Sequence, residues 1–283
     1  SRTSPCKTWA GAISKTAAGG EIDALDPGGF GTLTITKSIV VDGTNGQGFG
    51  STLNSGGVNG FTVNDSLTAA PNTTVVRLRN LSINGAGTTL GLNGIRFVAG
   101  AQLSVENCRI MNQSGDGISV ASGPLNATNG AMKLVVRDTI ISDCASDAIE
   151  MAGTATANSA VSVSNSILTR NGNGFRVTGR ASATIVYSVI SLNNTTAASK
   201  GVEAASATSG GSIIDLVNTD VSYNSIGVSP NTNQAIRLSG VHMTGNANAL
   251  NFAGGTIATL KNNSIVGNTA GEVFASLTPV NQQ

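Results

Sequence analysis

One short phrase recurs along most of this chain and constrains its fold more than any other feature. An alternating apolar segment that ends in Asn, Asp or Ser is followed, about ten residues on, by Gly or Ala and a second alternating apolar segment. Clear copies lie at 103–107 with 117–120, 134–138 with 148–151, and 161–165 with 174–177. The copies recur at intervals of about 22 to 31 residues, which is the period of solenoid repeats.

Alternating apolar residues predict strands, because a period of two places one set of side chains on one face. A third apolar segment follows each turn Asn and contains Ile110, Ile141 and Leu168 in successive copies. Each copy therefore predicts a coil of three strands, and no coil can bury its apolar face unless a neighbour stacks on it. The Asn that closes the first strand suits a sharp bend, since it tolerates left-handed backbone geometry.

In these features the chain resembles the right-handed parallel β-helix proteins of the pectin-lyase-like superfamily. Residues 6–13 resemble a capping helix, and residues 20–31 resemble the first strand and Pro-Gly turn that open many such proteins. The resemblance implies an all-β fold, a right-handed single-stranded parallel β-helix with three strands per coil. It implies one domain over 1–283, with an N-terminal cap at 1–20, coils at 21–268 and a C-terminal cap or tail at 269–283. The superfamily includes lyases, hydrolases, tailspikes, adhesins and inert scaffolds, so the resemblance implies no single activity.

The composition narrows the setting and the partners of the protein. Charged residues make up 11% of the chain and the net charge is +1, which provides no clustered positive field for nucleic acid. No apolar segment reaches the ~18 to 20 residues that span a bilayer, and no signal peptide is recognisable. By the resemblance, we expect a secreted or cell-surface protein.

The three cysteines do not predict a disulfide framework, since an odd number cannot all pair within one chain. Cys108 occupies a position that is Leu81, Val189 or Val241 in other coils, which predicts a small core residue. No spacing of cysteine and histidine indicates zinc, and the roles of Cys6 and Cys144 stay open.

When coils stack, residues at equivalent positions of consecutive coils form columns, in which neighbours lie about 4.8 Å apart. The outward residue of the second strand gives the column Arg96, Ser119, Glu150, Arg176, Glu203, Ser229 and Asn251. The residue before that strand's Gly or Ala gives the column Asn93, Asp116, Asp147, Asn173 and Lys200. Charge concentrates where the two columns meet, at Asp116, Asp147 and Glu150. Carboxylates this close raise the pKa of one of them or bind a cation such as Ca²⁺.

By the resemblance, this face is a polysaccharide site. The predicted catalytic residues are Asp116, Asp147, Glu150 and Arg176. The predicted substrate contacts are Lys200, Glu203, Arg96 and Tyr187. The acidic groups would act as acid, base or calcium ligands, and Arg176 or Lys200 would face a uronate carboxylate. The other interpretation is a structural ladder of Glu150, Arg176 and Glu203 on a solvated strand face, and it gains weight because the motif runs of polygalacturonases and pectate lyases are missing.

Two further predictions concern the outward phase of the third strand. Ile140, Ile167 and Ile190 predict an apolar stripe, which either the C-terminal tail or a second subunit would cover. His242 is the single histidine, and this phase places no base or nucleophile beside it. We interpret it as a solvated residue.

The leading hypothesis is an extracytoplasmic β-solenoid scaffold or adhesin-like protein that binds a surface, a glycan or itself without catalysis. The strong repeat and the low charge favour it. The alternative is a polysaccharide lyase or glycoside hydrolase that acts on an acidic polysaccharide. A third hypothesis is a carbohydrate-binding module that uses the same face without turnover.

Overall fold

The computed structural model of the protein describes residues 3–43, 50–120, 131–153, 158–205 and 211–280. These residues form three parallel sheets and two short helical segments. Each coil contributes one strand to each sheet, and neighbouring strands of a sheet come from consecutive coils. The predicted all-β architecture, a parallel β-helix with three strands per coil, is therefore confirmed.

The strands are numbered here in chain order and grouped by sheet. Sheet A contains β1 Glu21–Asp23, β4 Ile39–Asp42, β7 Val75–Arg79, β10 Gln102–Glu106, β13 Lys133–Arg137, β16 Ser159–Ser164, β19 Ala181–Val186, β22 Ile213–Val217, β25 Ala235–Ser239, β28 Thr256–Thr259 and β30 Thr278–Pro279. Sheet B contains β2 Gly28–Gly29, β5 Gly50–Leu53, β8 Leu81–Asn84, β11 Arg109–Met111, β14 Ile140–Ser142, β17 Ile167–Thr169, β20 Val189–Ser191, β23 Asp220–Ser222, β26 His242–Thr244 and β29 Ser264–Ile265. Sheet C contains β3 Leu33–Ile35, β6 Phe61–Asn64, β9 Ile95–Ala99, β12 Ile118–Val120, β15 Asp147–Ala152, β18 Asn173–Thr178, β21 Lys200–Ala205, β24 Ile226–Pro230 and β27 Asn248–Leu250.

The register stacks like side chains on one another. Leu103 pairs with Leu134 in sheet A, and Ile118 pairs with Ile149 in sheet C. These side chains are almost fully buried and belong to one continuous apolar core inside the coils. The first two coils depart from the predicted length, since Glu21 pairs with Val40, 19 residues on, and Ile39 with Val76, 37 residues on.

Two corners of the coil are built by asparagine in different ways. Between sheets A and B, the turn residue has positive φ, as at Asn107 (50°) and Asn165 (48°), which few residues other than Gly and Asn tolerate. Between sheets B and C, stacked asparagines form the asparagine ladder of Asn171, Asn193, Asn224, Asn246 and Asn268. The amide nitrogen of each of the first four donates to the side-chain oxygen one coil further on, at 2.9–3.3 Å, and that of Asn268 donates to Glu272. Asn194, the neighbour of Asn193, is exposed.

The two ends of the solenoid are closed differently. The predicted N-terminal cap contains the helix α1 Trp9–Ile13, whose first turn is capped by the Thr8 hydroxyl. Trp9 is buried, and its indole N–H donates to Thr52 at 3.1 Å. At the other end, a 3₁₀ turn at Phe274–Ser276 leads into β30, which pairs with β28 in sheet A. Among the described residues, no helix has the length and apolarity to cross a membrane.

Two predictions about apolar positions have different outcomes. Cys108 is a core residue as predicted, and Cys144 is buried as well, so burial raises the pKa of each thiol to about 12. The placement of Ile190 on the outer stripe is wrong, because Ile190 is fully buried. Val189 takes the outward position and pairs with Ile167.

Candidate functional site

One column of residues lies at the corner where each coil passes from sheet B into sheet C. We call it the corner column, and its members are Asn93, Asp116, Asp147, Asn173 and Lys200. Its side chains bind the backbone of the next coil. Asn93 Oδ1 accepts the N–H of Asp116 at 2.8 Å, and Asp116 Oδ1 accepts the N–H of Asp147 at 3.1 Å. Asn173 Oδ1 accepts the N–H of Lys200 at 2.8 Å. Asn and Asp therefore occur here because a short side chain with an acceptor oxygen ties two coils together.

Asp147 departs from this pattern. The N–H of Asn173, on the next coil, donates to the carbonyl of Ser146 at 3.0 Å instead of to the Asp147 carboxylate. Asp147 Oδ1 accepts from the Asn173 side-chain amide at 2.6 Å. Asp147 Oδ2 is buried and has no hydrogen-bond partner among the described residues. The side chain is only 1% exposed, so this is a carboxylate oxygen removed from water with no bond to replace it.

Asp147 belongs to an acid cluster with Asp116 and Glu150. One carboxylate oxygen from each residue lies within 4.8 Å of the others. Burial, reinforced by the charge of Asp116, raises the pKa of Asp147 to about 6. Burial and the charges of Asp116 and Asp147 also raise the pKa of Glu150. The sequence predicts that these three carboxylates lie close enough to repel one another, and this geometry agrees with that prediction.

Positive charge lies at one side of the acid cluster. Arg176 NH1 is 3.8 Å from Asp147 Oδ2 and 3.8 Å from Glu150 Oε1, which are long contacts. Arg176 Nε lies 3.1 Å from Glu203 Oε2 as a charge contact without hydrogen-bond alignment, and Lys200 Nζ lies 2.9 Å from Glu203 Oε1. Of the ladder of Glu150, Arg176 and Glu203, the pair of Arg176 and Glu203 is therefore close, whereas the contact of Arg176 with Glu150 is long. The ladder also leaves Asp147 without a close cation.

An open depression of about 390 Å³ adjoins the cluster on the side of Arg176 and Lys200. Its lining combines these two cations with Glu203, Asn173 and small polar residues of the corner at 195–199. The lining mixes polar and apolar groups, and its two cations both contact Glu203. A depression of this kind accommodates a small hydrophilic group better than an apolar ligand.

Two predicted substrate contacts are separated from this group or bonded elsewhere. Tyr187 is 65% exposed, but it lies at the corner between sheets A and B, across the coil from sheet C. Its assignment to the same site is therefore wrong. Arg96 lies on sheet C and donates to the Ser119 hydroxyl on the next coil. The residue that the sequence-based site missed is Asn173, although its column already contained it.

His242 is exposed, as predicted, but one part of its prediction is wrong. Its Nδ1 lies 2.8 Å from Asp220 Oδ2 on the neighbouring strand of sheet B, so a carboxylate does lie beside it. Ser222 donates to the same Asp220 and not to the imidazole. The arrangement therefore lacks the serine-to-histidine bond of a nucleophilic relay.

Sheet A provides a contrast to the acid cluster. Glu106 lies between Arg77 at 3.4 Å and Arg137 at 3.0 Å, and both arginines are about half exposed. Arg79 is bonded in the same way to Asp42 and Glu21. Each acidic residue of these two ladders has an arginine partner, as expected for columns that hold register.

Comparison with known proteins identifies the class. The family model described as "Right handed beta helix region" matches residues 29–195, and the chain belongs to this family. The protein is thus a right-handed parallel β-helix of the pectin-lyase-like type.

No curated protein sequence matches the chain. Among solved structures, the A-module of the mannuronan C-5 epimerase AlgE4 of Azotobacter vinelandii is similar at 13% identity and a TM-score of 0.44, covering 96% of this chain and 92% of that one. The A-module of AlgE6 from the same organism is similar at 11% identity and a TM-score of 0.37, covering 96% and 93%. Likeness at this level concerns the fold alone.

Proposed function

We propose that the protein is an extracytoplasmic β-helix that binds an acidic polysaccharide on sheet C, through a divalent cation held by Asp116, Asp147 and Glu150. Binding without turnover is the primary role. Arg176 and Lys200 add direct contacts to the anionic groups of the glycan. The proposal keeps the scaffold or adhesin hypothesis and specifies its ligand.

The observation that carries the proposal is the unbonded, buried Oδ2 of Asp147. Each carboxylate of a purely structural ladder has a close cationic donor, as Glu106 and Asp215 do on sheet A. Asp147 is less exposed than either, and its closest cation is 3.8 Å away. A buried carboxylate in this state is destabilising unless it is protonated or a cation binds it.

The donor set fits a hard cation. Ca²⁺ and Mg²⁺ prefer carboxylate and carbonyl oxygens, and Ca²⁺ takes about six to eight of them in a flexible arrangement. Three carboxylates within 4.8 Å of one another supply part of that shell. The rest would come from water and from the glycan itself, because Glu150 is partly open to solvent. A uronate carboxylate would then complete the coordination and bind the glycan at the same time.

The adjoining depression supplies the second part of the binding site. Lys200 and Arg176 line it, and the partner that they share, Glu203, is almost buried. Arg176 keeps about a third of its side chain exposed. A second uronate along the chain would therefore meet a cationic wall next to the metal-bound unit, which favours anionic over neutral glycans.

The test combines a cation titration with a glycan titration. Ca²⁺ alone should raise the melting temperature of the wild-type protein at pH 7.5, and Asp147→Asn should abolish this response. Oligo-uronates should bind in the presence of Ca²⁺ and lose affinity when a chelator is added. Lys200→Met should weaken glycan binding about tenfold and leave the Ca²⁺ response intact.

Lys133→Met on sheet A provides the matched control, since Lys133 is an exposed lysine of another face. It should change neither titration. A wild-type protein that shows no thermal response to Ca²⁺ or Mg²⁺ would contradict the cation site. Binding of neutral oligosaccharides with equal affinity would contradict the acidic ligand.

A second candidate, catalysis on the same glycan, is favoured by one observation, the pKa of Asp147 near 6. A group that titrates close to neutral pH can accept and return a proton during cleavage. Mass spectrometry of oligo-uronates after incubation distinguishes the two candidates. Shortened or unsaturated products that disappear in Asp147→Asn would indicate a lyase or hydrolase, and unchanged oligosaccharides that still bind would support the non-catalytic role.

A further inference from the structure

Sheet B carries an exposed apolar surface on a different face of the solenoid from sheet C. Three outward residues of adjacent strands form its floor, and residues of both neighbouring corners form its edges. We call it the sheet B patch, and its members are Ile140, Ile167, Val189, Tyr187, Leu192 and Tyr223. Five of them are 37–65% exposed, and both tyrosines of the chain are included. Contiguous apolar and aromatic surface of this kind marks an interaction site more often than a solvated face.

The chain's own tail does not cover this patch within the described residues. Strand β30 pairs with β28, and Thr278 lies beside Ala258, so the tail runs along sheet A as far as Val280. The C-terminal tail, as far as Val280, is therefore excluded as the cover of the patch. The other is a second copy of the protein.

Charge along the patch favours a second copy. The outward column of sheet B reads, in coil order, Ser82, Arg109, Ile140, Ile167, Val189, Asp220 and His242. An arginine thus precedes the three apolar residues and an aspartate follows them. Arg109 is exposed and has no ion-pair partner among the described residues. Asp220 contacts His242 of its own chain at 2.8 Å, but a third of its side chain stays exposed. The column therefore has a basic end and an acidic end around an apolar centre, and it is complementary to itself when it is reversed.

We propose that two copies pair through the sheet B patch with their solenoid axes antiparallel, about a two-fold axis at Ile167. In this arrangement Ile140 faces Val189 of the second copy, and Arg109 faces its Asp220. Each contact occurs twice, as in any isologous interface. A parallel pairing would place Arg109 against Arg109 and Asp220 against Asp220, and repulsion would oppose it.

The residues at the two corners beside sheet B are also compatible with this two-fold rotation. An antiparallel two-fold keeps the corner between sheets A and B on the same side in both copies. Tyr187 then approaches Asp138 of the second copy, and Tyr223 approaches its Asn112, so each phenol meets a polar partner. Arg170 lies near the axis, but it is neutralised by its two 2.8 Å bonds to Asp143 of its own chain.

The geometry of the face sets the expected strength. The seven coils from Ser82 to His242 extend roughly 30 Å at about 4.8 Å per coil, and each strand is only three residues wide. An interface of this size belongs to the small, transient class. We therefore expect a dimer with a dissociation constant in the micromolar range, formed through a few aromatic and aliphatic anchors.

Sedimentation equilibrium over a wide concentration range tests the pairing. The wild-type protein should show a monomer–dimer equilibrium, and Ile167→Asp should raise the dissociation constant by about tenfold or more, because the residue lies on the axis and contributes from both copies. Ile213→Asp is the matched control. Ile213 has the same exposure, 37% against 38%, but lies on sheet A, so its replacement should leave the dimer unchanged.

Two further experiments test the antiparallel register. Arg109→Asp and Asp220→Arg should each weaken the dimer, and the double variant should restore it. In a Cys6→Ser background, a short bis-maleimide should link Ile140→Cys protein to Val189→Cys protein but should link neither variant to itself. The native Cys108 and Cys144 are buried and do not compete.

A protein that stays monomeric at high micromolar concentration overturns the proposal, as does a dimer that Ile167→Asp leaves intact. Self-linking of Ile140→Cys, or a charge-swapped double variant that stays weak, overturns the antiparallel register. None of these variants touches the acid cluster, so the glycan proposal can fail while the dimer stands, and the reverse also holds.

Discussion

The asparagine ladder and the corner column lie next to each other at the same corner, yet one is saturated with hydrogen bonds and the other is not. In the ladder, Asn224 Oδ1 accepts from both the backbone and the side chain of Asn193, and its Nδ2 donates to Ile190 and Asn246. In the column, Asp147 Oδ2 has no partner among the described residues. Both sites are buried, so burial alone does not decide which one is structural.

The difference lies in what an amide and a carboxylate can do within a stack. An amide donates and accepts, so identical residues in consecutive coils complete one another. Two ionised carboxylates can only accept, so the side chains of Asp116 and Asp147 cannot bond to each other, and the Asn173 amide donates to only one oxygen of Asp147. Repetition therefore stabilises the first site and leaves the second site open to a proton or a cation.

The largest expected effect comes from breaking the ladder. Asn224→Ala removes partners from Asn193, Ile190 and Asn246 in a dry environment, and we expect a loss of about 2–4 kcal/mol in the free energy of unfolding. Urea unfolding monitored by circular dichroism measures it. Asn194→Ala, at the exposed neighbour, should cost less than about 0.5 kcal/mol. Equal losses in the two variants would show that the ladder contributes nothing special.

The second largest effect is a gain in the free energy of unfolding, expected for Asp147→Asn. The pKa of Asp147 rises from 3.8 to about 6 on folding, so the folded state binds the proton more tightly than the unfolded chain. The stability that this proton contributes is present at pH 4 and is lost as the pH rises through 6. Asp147→Asn cannot ionise, so in chelator at pH 7.5 it should be more stable than wild type by up to about 3 kcal/mol.

Urea unfolding from pH 4 to pH 8 checks this expectation. The advantage of Asp147→Asn should be small at pH 4, should grow up to about pH 6 and should then level off. Saturating Ca²⁺ should reduce the advantage, since it stabilises only the wild-type carboxylate. Asp138→Asn, at an exposed corner, is the control and should show no such profile. A destabilised Asp147→Asn at pH 7.5 would mean that Asp147 belongs to the structural class after all.

Much of this comparison follows from the sequence, and the remainder has identifiable physical causes. The columns are predictable because one apolar residue in two must face the core, as at Ile118 and Ile149. The prediction that Ile190 faces outward is wrong for two reasons. Val189 and Ile190 are both apolar, and Tyr187 occupies the position that is the turn Asn in other coils. Alternation then gives no information about which of the two faces inward.

The unbonded oxygen of Asp147 is beyond the reach of the pattern. Asn93, Asp116 and Asn173 occupy the same column position and accept a backbone N–H, so the sequence predicts the same bond for Asp147. Whether that bond forms depends on the path of the next corner, where the N–H of Asn173 is directed at Ser146. A shift of this kind within one turn leaves no trace in residue type or spacing.

The smallest effect is expected for Asp116→Asn, at a residue that belongs to both the acid cluster and the structural column. Asp116 belongs to the acid cluster, but its Oδ1 performs the structural task of binding the N–H of Asp147. Asp116→Asn keeps that acceptor, as Asn93 does one coil earlier, and removes one repelling charge. In chelator at pH 7.5 we expect a change of less than about 1 kcal/mol, well below the gain from Asp147→Asn.

Asp116→Ala distinguishes the two tasks of this residue, because it removes the charge and the acceptor together. The N–H of Asp147 would then be buried without a partner, and a loss of about 1–3 kcal/mol should follow. Both variants should lose the thermal response to Ca²⁺, since each removes a ligand oxygen. If Asp116→Asn kept the full Ca²⁺ response, the cation would have to bind Asp147 and Glu150 alone, and the column would contribute structure at every position except Asp147.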